Sequence, residues 1–226
     1  MTRHSLCTFD KNSSCSSCEN QKVIHCKREV RILLAFIAIM IPPGLLAFFS
    51  LALTGVITGM WWPLISYVAY YFIMITVIEP MFICAHCPFY AAEGLTLKCH
   101  ANEGSLKLRK YNPGPMNIFE KTLMVIFTIS IFLYPGIFIG YTIWYFIDSA
   151  LYSYIGILGL SGIAGAFIIA TVSCLYLART FICSRCINFS CPFNSVSKKN
   201  VDVYLLKNPV IKEAWERAGY MINWNI

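Results

Sequence analysis

Four long apolar runs dominate the pattern of hydrophobic and polar positions along the chain. They cover roughly residues 31–55, 60–83, 121–147 and 152–181. A helix needs about 20 apolar residues to cross a hydrocarbon core of about 30 Å, and each run provides them. Helices suit such segments because lipid offers the backbone no hydrogen-bond partners. The pattern predicts an all-α membrane protein with four transmembrane helices in two tandem hairpins, each followed by a cysteine knuckle.

The composition supports a lipid environment. The chain has 226 residues, of which 58% are hydrophobic and only 13% are charged, whereas soluble domains carry about 25% charged residues. The first 30 residues are polar and hold four cysteines, unlike the basic start and short apolar core of a cleavable signal peptide. We therefore expect the first span to remain as an anchor in the bilayer.

The positions of lysine and arginine predict the orientation. All 18 lie in three segments, from Arg3 to Arg31, from Lys98 to Lys121 and from Arg179 to Arg217. The hairpin tips near Thr58 and Ser149 hold none. Positive charge stays on the cytoplasmic side, so we expect an integral, multi-pass protein of the prokaryotic cytoplasmic membrane with both termini cytoplasmic. This bias also accounts for the net charge of +7. The sequence has no compact basic stripe of the kind that binds nucleic acid, so we do not expect nucleic acid as a partner.

A short internal repeat divides the chain. "FICAHCPF" begins at Phe82, and "FICSRC" begins at Phe181 with "CPF" at Cys191. Each copy follows the second helix of a hairpin, which indicates two copies of one unit. The predicted organisation is a cysteine-rich tail (1–30), a first hairpin (31–83), a first knuckle (84–120), a second hairpin (121–182), and a second knuckle with an amphipathic helix (183–226). In that helix Asn208 suits the N-cap and Pro209 the first position.

The cysteines are the main candidates for chemistry. Of eleven, ten lie on the predicted cytoplasmic side, where thiols stay reduced and structural disulfides are disfavoured. Three CxxC pairs occur, and this spacing lets both thiolates reach one metal from a single turn. The candidate ligands are Cys84, Cys87 and Cys99 in the first knuckle, Cys183, Cys186 and Cys191 in the second, and Cys7, Cys15, Cys18 and Cys26 in the tail.

The spacing leaves the grouping of these ligands open. The tail supplies four thiolates, enough for a site of its own, whereas each knuckle supplies three. His86 or His100 completes the first knuckle in one interpretation. In another, the two knuckles share ligands across the repeat.

The metal is either an iron–sulfur cluster or zinc. Proline follows Cys87 and Cys191, as it does in bacterial ferredoxin-type runs, and the glycine common in zinc knuckles does not follow. This slightly favours iron–sulfur over zinc, with metal-free thiol redox chemistry as a third interpretation. Cys-Pro motifs beside a four-helix core also resemble, in outline, the membrane quinol dehydrogenases of anaerobic respiration.

One acidic residue stands out within the spans. Glu79 lies one helical turn inside the second span, and an ionisable group there is either a functional group or a carboxyl that reaches the interface. The sequence contains no HExxH, GxSxG or Walker motif. We therefore expect an electron-transfer or accessory subunit rather than a stand-alone enzyme.

Several runs resemble one family. "CAHCPFYAAEGLTLKC", "KYNPGPMN", "CSRCINFSCPFN" and "NPVIKEAW" are similar to a small uncharacterised family of prokaryotic four-helix membrane proteins. The resemblance covers roughly residues 83–220 and implies the four-helix fold, but it supplies no activity.

These observations predict a membrane-anchored metal-binding protein with cytoplasmic cysteine-ligated sites. In the leading hypothesis an iron–sulfur cluster exchanges electrons with a membrane or cytoplasmic partner subunit. One alternative is a membrane scaffold rigidified by structural zinc knuckles. Another is metal-ion sensing or delivery, for which metal binding must be reversible.

Overall fold

The computed structural model describes residues 6–9, 17–21, 23–149 and 153–223. Within them the regular secondary structure is helical apart from one isolated β-bridge between Thr96 and Leu106, and turns and loops connect the helices. The α-helices are α1 (Val30–Thr58), α2 (Trp62–Ile73), α3 (Glu79–Phe82), α4 (Ile118–Asp148), α5 (Tyr154–Leu177), α6 (Lys198–Leu206) and α7 (Pro209–Arg217). Short π-helical and 3-10 segments continue α2 and α5 into the cysteine knuckles.

The predicted fold class is confirmed. Four helical stretches are long and apolar enough to cross a membrane, and they are Val30–Thr58, Trp62–His86, Ile118–Asp148 and Tyr154–Arg185. Most of their apolar side chains point outward rather than into the protein. A helix that is apolar on all sides is typical of a membrane span. The protein therefore has the architecture of an integral membrane protein.

The chain divides into two compact units. The cysteine unit takes the described residues of Met1–Phe36, Ile75–Met124 and Ala178–Ile226. The helical unit takes Ile37–Met74 and Val125–Leu177. Every lysine and arginine in the sequence falls within the ranges of the cysteine unit. The positive residues that the sequence keeps out of the apolar runs therefore all belong to the cysteine unit.

Apolar packing and a few hydroxyl contacts hold the helical unit together. Leu51, Tyr67 and Phe167 are buried in one cluster, and the Tyr67 hydroxyl donates to the Ile131 carbonyl at 3.1 Å. The hydroxyls of Thr54 and Thr142 lie 2.7 Å apart and are fully buried. Such contacts keep hydroxyl groups satisfied where water is absent.

The N-terminal tail is an integral part of the cysteine unit. Leu6 and Ile24 are buried in the same cluster as Tyr204 and Trp215, which belong to α6 and α7. The Thr8 hydroxyl lies 2.8 Å from the Tyr204 hydroxyl. The tail therefore shares its core with the C-terminal helices.

The predicted helix after Asn208 forms as α7, with Ile211 and Trp215 buried. Asn208 occupies the N-cap position, but its side chain makes no capping bond. Its Oδ1 instead accepts the backbone N–H of Cys7 at 2.8 Å, and its Nδ2 donates to the Cys7 sulfur at 3.2 Å. The long-range bond to the tail replaces the local cap that the sequence suggested.

Candidate metal centre

The two CxxC turns have matching backbones. In each, a 3-10 turn carries the first cysteine and the second cysteine is extended. A π-helical turn precedes both, but α3 separates it from the 3-10 turn in the first knuckle only. The π turns are Met74–Ile78 and Ala178–Ile182, and the 3-10 turns are Cys84–His86 and Cys183–Arg185. Cys87 has φ −82° and ψ 135°, and Cys186 has φ −79° and ψ 131°. The repeat in sequence is therefore a repeat in local structure.

Backbone N–H groups point at the sulfur atoms of both knuckles. The Asn102 N–H donates to the Cys99 sulfur at 3.1 Å, and the Asn188 N–H donates to the Cys186 sulfur at 3.4 Å. Such donors favour the thiolate, the form of cysteine that binds metals. The local geometry thus suits thiolate ligands.

Asn102 connects three groups of the first knuckle. Its Nδ2 donates to Glu79 Oε2 at 2.7 Å and to the Cys84 sulfur at 3.3 Å, in addition to the backbone bond to Cys99. Glu79, which the sequence singled out, therefore lies beside the thiols of the first knuckle. Its carboxyl group and the Cys84 sulfur share the Asn102 Nδ2 donor.

Asn188 and Asn194 organise the second knuckle. Asn194 Nδ2 donates to the carbonyls of Cys186 (2.8 Å) and Asn188 (3.0 Å). Asn188 Nδ2 donates to the carbonyl of Ile83, at 3.0 Å. Ile83 immediately precedes the first CxxC, so this bond joins the two knuckles. Asn188 Oδ1 is buried and has no hydrogen-bond partner within the described part of the chain.

The cysteines of both knuckles lie within range of one another's charge. Burial raises the pKa of Cys87 well above its ordinary value, and charge at Cys186 and Cys99 raises it further. Burial likewise raises the pKa of Cys186 to about 12 and that of Cys191 to about 11. Charges at Cys84, Cys99 and Cys183 also act on these groups. All six knuckle cysteines lie in the cysteine unit, and we call them the thiol cluster.

The side chains do not already form a metal cage. Across residues 6–9, 17–21, 23–149 and 153–223, no three His, Cys, Asp or Glu side chains stand in an arrangement that could hold a metal ion. The donor type and the N–H groups fit a thiolate-bound metal.

His86, a candidate ligand, has other partners. Its Nδ1 lies 2.7 Å from the Gly114 carbonyl, and because a carbonyl can only accept, Nδ1 carries the proton. Its buried Nε2 lies 3.3 Å from Glu120 Oε2 but makes no hydrogen bond within the described residues. Glu120 accepts from Arg109 at 3.0 Å, and it both accepts from and donates to Asn117 at the start of α4. The bond from His86 to Gly114 therefore joins the first knuckle to the loop that precedes α4.

His100 is engaged with the tail. Its Nε2 accepts the Glu29 N–H at 2.9 Å, and its ring makes edge contacts with His25 and Phe89. Burial, followed by the charge of His25, lowers the pKa of His100 from 6.5 to about 4. The ring is therefore neutral at physiological pH, and it links the tail to the first knuckle.

The tail cysteines fall in different surroundings. Cys7 and Cys26 pack against the core cluster of the cysteine unit, and their charges reach the buried Tyr204. Cys18 is partly exposed. Cys15 lies outside the described residues. A four-thiolate tail site stays a prediction.

The asparagines are the functional residues that the sequence interpretation missed. Asn102, Asn188 and Asn194 each follow a cysteine by two or three positions in the chain. Asparagine at that distance readily turns the backbone toward a preceding side chain. The recurrence of this spacing in both knuckles was the available signal.

Fold and site together define a class: four-helix integral membrane proteins with a cysteine-rich unit. Comparison with protein-family models, curated proteins and solved structures finds no match.

Proposed function

We propose that the protein is a membrane-anchored metal-thiolate protein whose thiol cluster ligates an iron–sulfur cluster. The observation that carries this proposal is the gathering of six cysteines from two matching knuckles in one unit. Two of them accept backbone N–H bonds, from Asn102 and Asn188. An iron–sulfur cluster supplies one-electron redox chemistry when bound.

The residues of the chain have distinct tasks in this proposal. The cysteines ligate, the N–H groups lower the energy of the thiolates, and Glu79 sets the local charge. The surrounding apolar residues, among them Phe89 and Ile187, exclude water. The protein then carries single electrons between a reduced cytoplasmic protein and a redox partner in the membrane.

The orientation belongs to the proposal. All lysines and arginines fall within the cysteine unit, which supports a cytoplasmic cysteine unit and cytoplasmic termini. Alkaline phosphatase inserted after Ser149 should be active, because that hairpin tip then faces the periplasm. Alkaline phosphatase activity from an insertion in the loop near Lys110 instead would show that the orientation is the opposite one.

A structural zinc site is the second candidate. Cys99 and Cys84 are buried in two hydrophobic clusters of the cysteine unit, which is where a stabilising metal would act. Zinc is redox-silent and its structural sites contribute directly to folding. The identity of the metal separates this scaffold role from electron transfer.

The test is anaerobic purification of the full-length protein, with elemental analysis, acid-labile sulfide and a visible spectrum of one sample. We expect iron, sulfide and a broad absorption band near ~400 nm, typical of clusters held by thiolates. Stoichiometric zinc in colourless protein would establish the scaffold role instead. Protein without metal from iron- and zinc-supplemented cells would refute both.

Two serine variants sharpen the result. Cys186→Ser should lower the metal content, since it removes a ligand from the thiol cluster. Cys174→Ser is the matched control, because Cys174 is a buried cysteine of the helical unit beside Met40. Equal metal content in both variants would remove Cys186 from the ligand set.

A further inference from the structure

An apolar hairpin projects from the cysteine unit. Residues 95–97 run antiparallel to residues 104–107, with the Leu97 N–H donating to the Ser105 carbonyl and the Lys107 N–H to the Leu95 carbonyl, both at 2.8 Å. Leu97 points inward and is 1% exposed. We call residues 95–108 the leucine hairpin.

One face of the leucine hairpin is apolar and exposed. Thr96 pairs with Leu106 across the hairpin, so Leu106 lies on the face opposite to Leu97. Leu106 and Leu108 are 58% and 46% exposed, and Leu95, which alternates onto the face of Leu97, is 81% exposed. Exposed apolar side chains on one face indicate an interaction site. The exposed side chains of Lys98 and Lys110 flank them.

Both ends of the hairpin are bonded to membrane-spanning segments. At its turn, Asn102 donates to Glu79, which lies in the span Trp62–His86. At its base, Arg109 donates to Glu120 in the first turn of α4, which is also a span. The two contacts hold the turn and the base of the hairpin beside the ends of these two spans.

The start of α4 continues this surface. Ile118 and Phe119, which precede Glu120, are 83% and 69% exposed. Apolar side chains with lysines beside them are the composition of segments that lie in the headgroup layer. Lysines near an anionic leaflet are attracted to lipid phosphates.

We propose that the leucine hairpin is a lipid-binding element that lies in the headgroup layer of the leaflet nearest the cysteine unit. Leu106 and Leu108 enter the acyl-chain boundary together with Ile118 and Phe119. Lys98 and Lys110 bind the phosphates of anionic lipids. This inference does not depend on the metal site.

The depth of the hairpin is tested by fluorescence in nanodiscs. The fluorescent amino acid acridonylalanine replaces Leu106 in the full-length protein, and a second variant carries it at Leu108. Phosphatidylcholine brominated near the headgroup end of its chains should quench both probes relative to unbrominated lipid. Unquenched probes at both positions would overturn the proposal, and a blue-shifted, unquenched emission would indicate a protein partner on this surface instead.

The lipid preference is tested by native mass spectrometry of protein extracted from mixed phosphatidylglycerol and phosphatidylcholine bilayers. Wild-type protein should retain phosphatidylglycerol preferentially, and the preference should fall about fivefold for each lysine neutralised in K98Q/K110Q. K199Q/K207Q is the matched control, because both lysines are exposed in the same unit but lie outside the hairpin. An equal loss in the two double variants would show bulk charge attraction and overturn a specific role for the hairpin.

Discussion

The side-chain amide of Asn188 donates to the carbonyl of Ile83 across 105 positions of sequence, at 3.0 Å. This single bond joins the second cysteine knuckle to the backbone that leads into the first. Because Asn188 is 4% exposed, water cannot replace the bond when it is lost.

Replacing Asn188 should therefore destabilise the cysteine unit. N188A removes one of two donors to the Ile83 carbonyl, which also accepts the His86 N–H at 3.3 Å, so the loss should cost about 1 kcal/mol, as for a typical hydrogen bond. N188D keeps the size but places a carboxylate opposite that carbonyl, so it should be worse than alanine. Thermal unfolding of the purified variants measures both effects, and an N188D protein as stable as wild type would contradict the role assigned to the amide donor.

Asn102 should control how tightly the metal is held. N102L removes the bonds from Nδ2 to Cys84 and Glu79, and loss of such outer contacts commonly costs about 10–100-fold in metal affinity. Metal release to a chelator, followed by absorbance, measures the change.

The control for Asn102 is its neighbour Glu103. E103Q removes the surface pair with Arg28, which lies 2.9 Å away, and a charge near Cys99, but no bond to a sulfur atom, and exposed pairs contribute little. Its release rate should match wild type. Faster release from both variants by the same factor would point to general loosening of the loop rather than to Asn102.

Tyr220 should make the cysteine unit sensitive to alkaline pH. Its hydroxyl donates to the buried carboxylate of Asp202 at 2.8 Å. Burial, and then the bond and the charge of Asp202, raise the pKa of Tyr220 above its ordinary value of 10.0. The folded state therefore holds this proton more tightly than the unfolded state.

The sign of the pH effect follows from this difference. The stabilisation that the protonated Tyr220 hydroxyl gives the folded state is fully present below pH 10. It is lost as the pH rises through the higher pKa that Tyr220 has in the folded state. Thermal midpoints across this range should fall more steeply for wild type than for Y220F, which lacks the titrating hydroxyl. Identical slopes of thermal midpoint against pH in wild type and Y220F would show that groups other than Tyr220 dominate the loss of stability at alkaline pH.

Thr54 and Thr142 should be energetically coupled within the helical unit. Their hydroxyls lie 2.7 Å apart, and each also contacts a carbonyl of its own helix. In membrane proteins such interhelical bonds contribute about 0.6 kcal/mol on average. A double-mutant cycle with T54V and T142V, followed by unfolding in detergent, should give a coupling of that order, whereas additive effects would mean that the pair contributes nothing beyond packing.

The membrane architecture could be predicted from the sequence because its signals are local. Twenty apolar residues in a row identify a span without knowledge of any neighbour. The helix from Pro209 to Arg217 was likewise visible in its own periodicity. The matching knuckles were suggested by short repeated motifs, and their matching dihedral angles confirm that repeat in the backbone.

The contacts that shape the site are not local, and the sequence did not reveal them. Asn208 suits a helix cap by type, but its side chain binds Cys7. Leu97 and Leu106 are both leucines of one short segment. Leu97 is buried and Leu106 is exposed because they lie on opposite faces of the hairpin. Partner choice of this kind depends on distant packing, which one sequence does not encode in readable form.

The bond between Cys7 and Asn208 has a consequence for biosynthesis, since these residues are 201 positions apart. The tail leaves the ribosome before any membrane helix exists, whereas its binding surface on α6 and α7 is translated after all four. Its thiols therefore wait, without their final partners, throughout insertion of the hairpins. Completion of the cysteine unit is a late, post-insertional event, and a chaperone or metal donor would have access to the tail until then.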